Sequence, residues 1–167
     1  MPSSTHFNTY TTNRRMITVE YLKELLLLVE GFNDPENQVK CGDGFDEITA
    51  ILESIRSIEF PCVVIEDRSS GSFTNEDGPV DTYSIALWVM VQQTREEQAS
   101  NSQLYLQAYT MMKKIAGLLI TEQQKGVTQV ASLDTRRMPY NKRLGGPNCL
   151  GYELLLTFHE NIQLSDE

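Results

Sequence analysis

Histidine is almost missing from this chain, with only His6 and His159 in 167 residues. Neither stands in an HExxH or another metal-ligand spacing, so a histidine-based metal centre is not expected. Cysteine is scarce as well. Cys41, Cys62 and Cys149 are odd in number, widely spaced and form no CxxC, which argues against a zinc knuckle or a redox pair. The pattern fits reduced thiols in a cytoplasmic protein, with Cys62 a small core residue inside its apolar run. Long apolar runs are also lacking. The first cluster, 25–29, is five residues long and is flanked by Glu20, Lys23, Glu24 and Glu30, so neither a signal sequence nor a membrane span is expected. Basic residues are outnumbered, 14 against 23 acidic, for a net charge of −9. That balance argues against specific nucleic-acid binding and against docking on anionic membranes, while leaving partners with basic patches open.

Chemical motifs are missing too. No GxSxG, P-loop or GxGxxG occurs, and the glycines of 42–44 and 145–147 read as turns. The Asp, Gly and Asn residues of 33–44 lack the alternating ligands and terminal Glu of a calcium loop. No cofactor or metal is therefore expected, and no catalytic residue is assigned. A nucleophilic pair of Cys62 or Cys149 with His159 is the one enzyme alternative, supported by residue type alone.

What is present is a scaffold. Residues 1–17 have no apolar period and read as an arm, either a frayed terminus or a segment that orders on a partner. A helix is expected over 19–30, capped by Thr18 and ended by Gly31, with Val19, Leu22, Leu25, Leu26 and Val29 in one stripe. Leu27 and Leu28 widen that stripe, which suits either a subunit contact or a two-sided core position. A second helix is expected over 45–58, with Asp43 as its cap and Ile48, Ile51, Leu52, Ile55 and Ile58 in register. A Pro-led strand follows at 61–66. The clearest strand is 80–93: Tyr83, Ile85, Leu87, Val89 and Val91 share one face, with Trp88 and Met90 on the other. A long helix over 96–120, capped by Thr94, then strands at 127–133 and 150–164 and a tail at 165–167 complete the chain.

Two long connections carry the candidate contact residues. The first, 67–80, reads as an exposed acidic loop, with Glu76, Asp77 and Asp81 as its acidic half. The second, 134–147, holds Arg136, Arg137, Lys142 and Arg143, four of the chain's fourteen basic residues. Each could be a solvated loop, or the pair could meet between copies through opposite charge. Trp88, on the mixed strand face, is a candidate apolar contact.

The expected fold is α+β, a two-layer sandwich of helices on a four-stranded, mainly antiparallel sheet in the order ααββαββ, within one domain over 18–164. This pattern resembles tail-terminator and related tail-completion or neck proteins of long-tailed phages. The resemblance rests on the Pro-led strand 61–65, the alternating strand 83–91, the helix AYTMMKKIAGLL at 108–119 and the strand GYELLLTF at 151–158. It implies a structural virion-assembly protein of a phage or prophage, without enzymatic activity, that forms a homo-oligomeric ring, commonly hexameric. Its partners would be further copies and other tail or neck proteins, and DNA would pass through the lumen. It would be cytoplasmic during assembly and part of the tail or neck in the virion. The helix at 45–58 and the polar arm depart from the family pattern. A non-viral intracellular adaptor binding a protein partner is the alternative.

Overall fold

The computed structural model describes residues 17–93 and 100–162. His6, most of the expected arm, the cap expected at Thr94 and the 165–167 tail lie outside these. Ile17, assigned to the arm, is instead buried in the core.

The chain is α+β. Its elements run α1 (Val19–Leu26), α2 (Pro35–Gln38), β1 (Val39–Asp43), α3 (Gly44–Ser54), a 3-10 turn (Ser57–Glu59), β2 (Cys62–Thr74), β3 (Val80–Gln92), α4 (Asn101–Gln124), a 3-10 turn (Thr128–Val130), β4 (Tyr140–Leu144) and β5 (Cys149–Asn161). The strands form one sheet in the order β1-β2-β3-β5-β4. The β1–β2 pair is parallel and the other three pairs are antiparallel. An isolated bridge from Leu133 to Phe158 extends the β4 side. The sheet is thus open, mixed and wider than the four strands expected.

The two unexpected strands are short edge strands, which carry little period. Val39-Lys40-Cys41-Gly42-Asp43 has a single fully buried apolar side chain, Val39, and Tyr140-Asn141-Lys142-Arg143-Leu144 is mostly exposed. The expected strand at 127–133 is a 3-10 turn, because its buried residues Val130 and Leu133 are three apart, the spacing of a turn. The acidic connection 67–80 is largely strand as well. β2 continues to Thr74, opposite Val80, and only residues 75–79 make the turn, where Gly78 has φ +113°.

Helices cover both faces of the sheet, so the two-layer expectation is also corrected. Alternation along β3 sends Tyr83, Ile85, Leu87, Val89 and Val91 into a core with α1 and α4. Ala86, Trp88 and Met90 go to the opposite face, where Ile48 and Leu52 of α3 cover them with Cys62, Val64 and Cys149. β3 is therefore buried on both sides. It also presses closely on β5: a Cβ at Gly151 would sit 1.9 Å from the Val89 carbonyl oxygen, so only glycine fits there.

Helix ends follow local chemistry. Thr18 Oγ1 accepts from the Tyr21 N–H at 3.1 Å, the expected cap. α4 starts from a capping box in which Ser100 and Gln103 bond each other's backbone. Asp43 precedes α3 but makes no side-chain cap; its own N–H donates to Glu47 Oε2 at 2.6 Å. α1 stops at Leu26, before Gly31, and passes into tight turns in which Leu28 and Val29 donate to Leu25 and Leu26. Those turns swing Leu27 and Leu28 into solvent. Ile58, expected in the α3 stripe, is exposed beyond that helix's end.

The 3-10 turn after α3 is fastened by Glu59. Its Oε1 accepts from Lys40 Nζ at 2.8 Å, and its Oε2 accepts from the Arg56 N–H at 2.8 Å. The bond from Lys40, then that from the Arg56 backbone, pull the carboxyl from 4.5 down to about 2. Between those values the unfolded chain takes up a proton that the folded chain refuses, so stability falls as pH falls. We expect Glu59→Gln to cost about 1–2 kcal/mol at neutral pH. In denaturant titrations the gap to wild type should hold down to roughly pH 5 and close as pH approaches 2.

Candidate functional site

Glu76 and Asp77 lie exposed in the turn at the end of the β2–β3 hairpin. Asp81 sits just inside it on β3, opposite Phe73 on β2 and Glu160 on β5. Phe73 is 75% exposed, a large apolar ring beside an acidic turn.

The four basic candidates do not form one loop. Arg136 and Arg137 follow the Leu133 bridge, whereas Lys142 and Arg143 stand on β4 and point to opposite faces of the sheet. Arg136 clamps Asp134 at two points, Nε to Oδ1 and Nη2 to Oδ2, each at 2.9 Å. That clamp holds the Asp134 carboxyl well below the usual carboxylate range. Lys142 Nζ lies 4.7 Å above the Tyr105 ring, beside a cluster of Tyr109, Tyr140 and Tyr152. Arg143 Nε donates to Glu153 Oε2 at 2.8 Å, and its guanidinium stacks 5.4 Å from the Trp88 ring. Three of the four side chains are thus engaged within the chain, although Arg136 and Lys142 stay exposed; among the described residues Arg137 is the exposed cation with no such partner.

Trp88 is 1% exposed, which corrects its assignment as a contact residue. Phe45 of α3 packs on it at 5.9 Å, and its Nε1 donates to Glu66 Oε2 at 2.7 Å. Glu153, fully buried, lies opposite Trp88 on β5. Glu153, Trp88 and Glu66 are a buried polar set under α3, joined by the half-exposed Arg143 when the β4 edge brings its guanidinium over the indole.

The proposed cysteine–histidine pair does not form. Cys149 and His159 are ten residues apart on one strand, ~33 Å at ~3.3 Å per residue. Cys62 and Cys149 are buried under α3; burial pushes the Cys62 thiol far up and the Cys149 thiol up to about 11. His159 instead bridges Thr82 Oγ1, 2.9 Å from Nδ1, and Asp134 Oδ2, 3.4 Å from Nε2. A hydrolytic triad places the carboxylate on Nδ1 and the hydroxyl on Nε2, the reverse of this order. Among the described residues, no group of three or more His, Cys, Asp or Glu is placed to hold a metal ion. None of their helices is long and apolar enough to cross a membrane.

One surface was anticipated only in part, through Leu27 and Leu28, which widen the stripe of the first helix. The N-terminal end of α1 lies by the C-terminal part of α4, where burial and the Glu122 carboxylate push the Tyr21 phenol up to about 12. At the other end of α1, Leu28 (65% exposed) meets Leu106 of α4 (64% exposed) along a groove of about 710 Å³. Leu28, Leu106, Met111 and Lys114 line it. A second depression continues along α4 past Lys113, Gly117 and Leu118, sharing Leu106 with the first. Among the described residues, neither Lys113 nor Lys114 has a carboxylate partner. Leu106 was the available signal: it falls between Leu104 and Ala108, off the buried stripe.

No protein-family model matches the chain, and no curated protein is significantly similar to it.

Two outcomes follow from this geometry. In the folded protein only Cys41 is exposed, so a chromogenic disulfide reagent should titrate one thiol, slowly because partial burial and the Asp67 carboxylate disfavour its thiolate, and the other two only on unfolding. Arg143→Ala should cost about 3 kcal/mol in a denaturant titration by taking the guanidinium from buried Glu153. The exposed Arg137→Ala should stay within about 0.5 kcal/mol of wild type.

Proposed function

We propose that this chain is a structural virion-assembly protein of a phage or prophage, a tail terminator or head–tail joining component that forms a ring through contacts between copies. The observation that carries the reading is the presence of two unlike exposed elements on one chain. One is the acidic hairpin end bearing Phe73; the other is the apolar α1–α4 groove beside Lys113 and Lys114. Unlike surfaces on identical subunits pair head to tail, and such contacts close into rings when the rotation permits. The resemblance of 61–65, 83–91, 108–119 and 151–158 to tail-terminator and neck proteins supports the setting. A net charge of −9 suits a lumen that DNA crosses without adhering. Further partners would be neighbouring tail or neck proteins.

The exposed groove also favours a second reading, a non-viral intracellular adaptor that receives a protein partner as a monomer or dimer. Light scattering behind size exclusion separates the two. The ring reading expects the mass to climb from 19.0 kDa towards a closed oligomer, near six copies, as loading rises. Added salt should lower it by screening the charge pairs. A fixed monomer or dimer at every loading and salt concentration would favour the adaptor.

A further inference from the structure

We infer that the Phe73 end of the β2–β3 hairpin of one copy seats in the α1–α4 groove of the next copy, a pairing that rests on the ring reading above. The donor is the hairpin end. Phe73 is 75% exposed there, Glu76 and Asp77 are exposed in the adjoining turn, and residues 71–83 contain no lysine or arginine. The acceptor is the groove, whose apolar wall of Leu28, Leu106 and Met111 is flanked by the exposed Lys113 and Lys114. Among the described residues, Glu30 is the one carboxylate on its lining. Shape and charge agree. An opening of about 710 Å³ takes a phenyl ring with its turn, and two carboxylates then face two ammonium groups. Phe73 and Leu106 are both exposed within one chain, so the contact is between copies. Because donor and acceptor differ, each copy gives one hairpin and receives another, the head-to-tail arrangement a ring requires.

This pairing replaces the basic loop as the receiver of the acidic hairpin. Arg136 and Arg143 are already neutralised by Asp134 and Glu153, and Lys142 lies over Tyr105. The two α4 lysines stand beside the exposed Leu106 and, among the described residues, have no carboxylate or ring partner. Gly117 makes a clean obstruction possible, since a Cβ built there meets nothing within 4 Å. A bulky side chain at that position fills the second depression, which holds Lys113 and adjoins the groove at Leu106, Thr110 and Lys114, and leaves the core untouched.

The test uses cysteines placed at exposed sites in a Cys41→Ser background. Phe73→Cys and Leu106→Cys proteins, mixed under mild oxidation, are expected to form a disulfide-linked heterodimer that neither forms alone. Glu76→Lys with Asp77→Lys, Lys113→Glu with Lys114→Glu, and Gly117→Trp are each expected to raise the assembly dissociation constant about tenfold or more, with thermal stability unchanged. The chain carrying all four charge reversals should recover assembly. Rings without the 73–106 cross-link, or a fourfold reversal that fails to restore them, would overturn the pairing and leave the ring reading standing. Cross-links of 73 to 73 would overturn it in favour of a two-fold dimer. A monomer at every loading with no cross-link would overturn both.

Discussion

Burial of β3 on both faces governs the architecture. This strand pairs with β2 on one side and with β5 along its whole length on the other, and its side chains alternate between two dry cores. Apolar side chains on both faces of a strand must both be covered, so α1 and α4 take one face and α3 the other. The close approach of Val89 to Gly151 fixes how tightly β5 lies against β3. Once these layers are in place, chain left over from covering the sheet becomes surface. That surface includes the outer side of α4, the turns after α1 and the hairpin beyond α3.

Trp88 shows how that constraint reassigns residues. Its indole nitrogen finds Glu66, its ring finds Phe45 and Arg143, and Glu153 is held beneath the same guanidinium. A buried carboxylate is tolerable only when paired, so the β4 arginine is tied to the interior although it lies on an edge strand. Strand alternation therefore sends Arg143 under α3 and Lys142 over tyrosines, while before the strand Arg136 is clamped to Asp134 at the surface and Arg137 is exposed. Exposed apolar groups lie on β4 as well, at Tyr140 and Leu144, and on elements that finish covering the core and then run on past it. Phe73 stands near the hairpin end, Leu27 and Leu28 in the turns after α1, and Leu106 on the outer side of α4.

Much of the scaffold was legible in the chain. The period-two alternation of 80–93 and the apolar stripe through Leu104, Ala108, Met112, Ile115 and Leu119 mark a strand and a helix wherever they fold. Thr18 at a helix start was legible for the same reason, since its cap is a bond between neighbours. The edge strands β1 and β4 were not. Five residues with little burial carry no period, and their backbones become strands only because β2 and β5 offer hydrogen-bond partners. The candidate surface was half legible. The acidic turn could be read from Glu76 and Asp77, and Leu28 from the widened stripe of the first helix, but its place beside Leu106 could not, because β1, α3, β2 and β3 lie between α1 and α4 in the chain.

The α+β character, the central strand, the long helix and the acidic turn are written in the chain's local pattern, because periodicity, caps and charge act between near neighbours. Only the tertiary structure decided that α3 covers Trp88 and that Arg143 serves Glu153. It also decided that His159 meets Thr82 and Asp134 and no cysteine, and that Leu28 and Leu106 stand together in solvent. Apart from the Arg143–Glu153 pair within the β4–β5 hairpin, each is a contact between residues distant in the chain, settled by which faces must be buried together and which are left over.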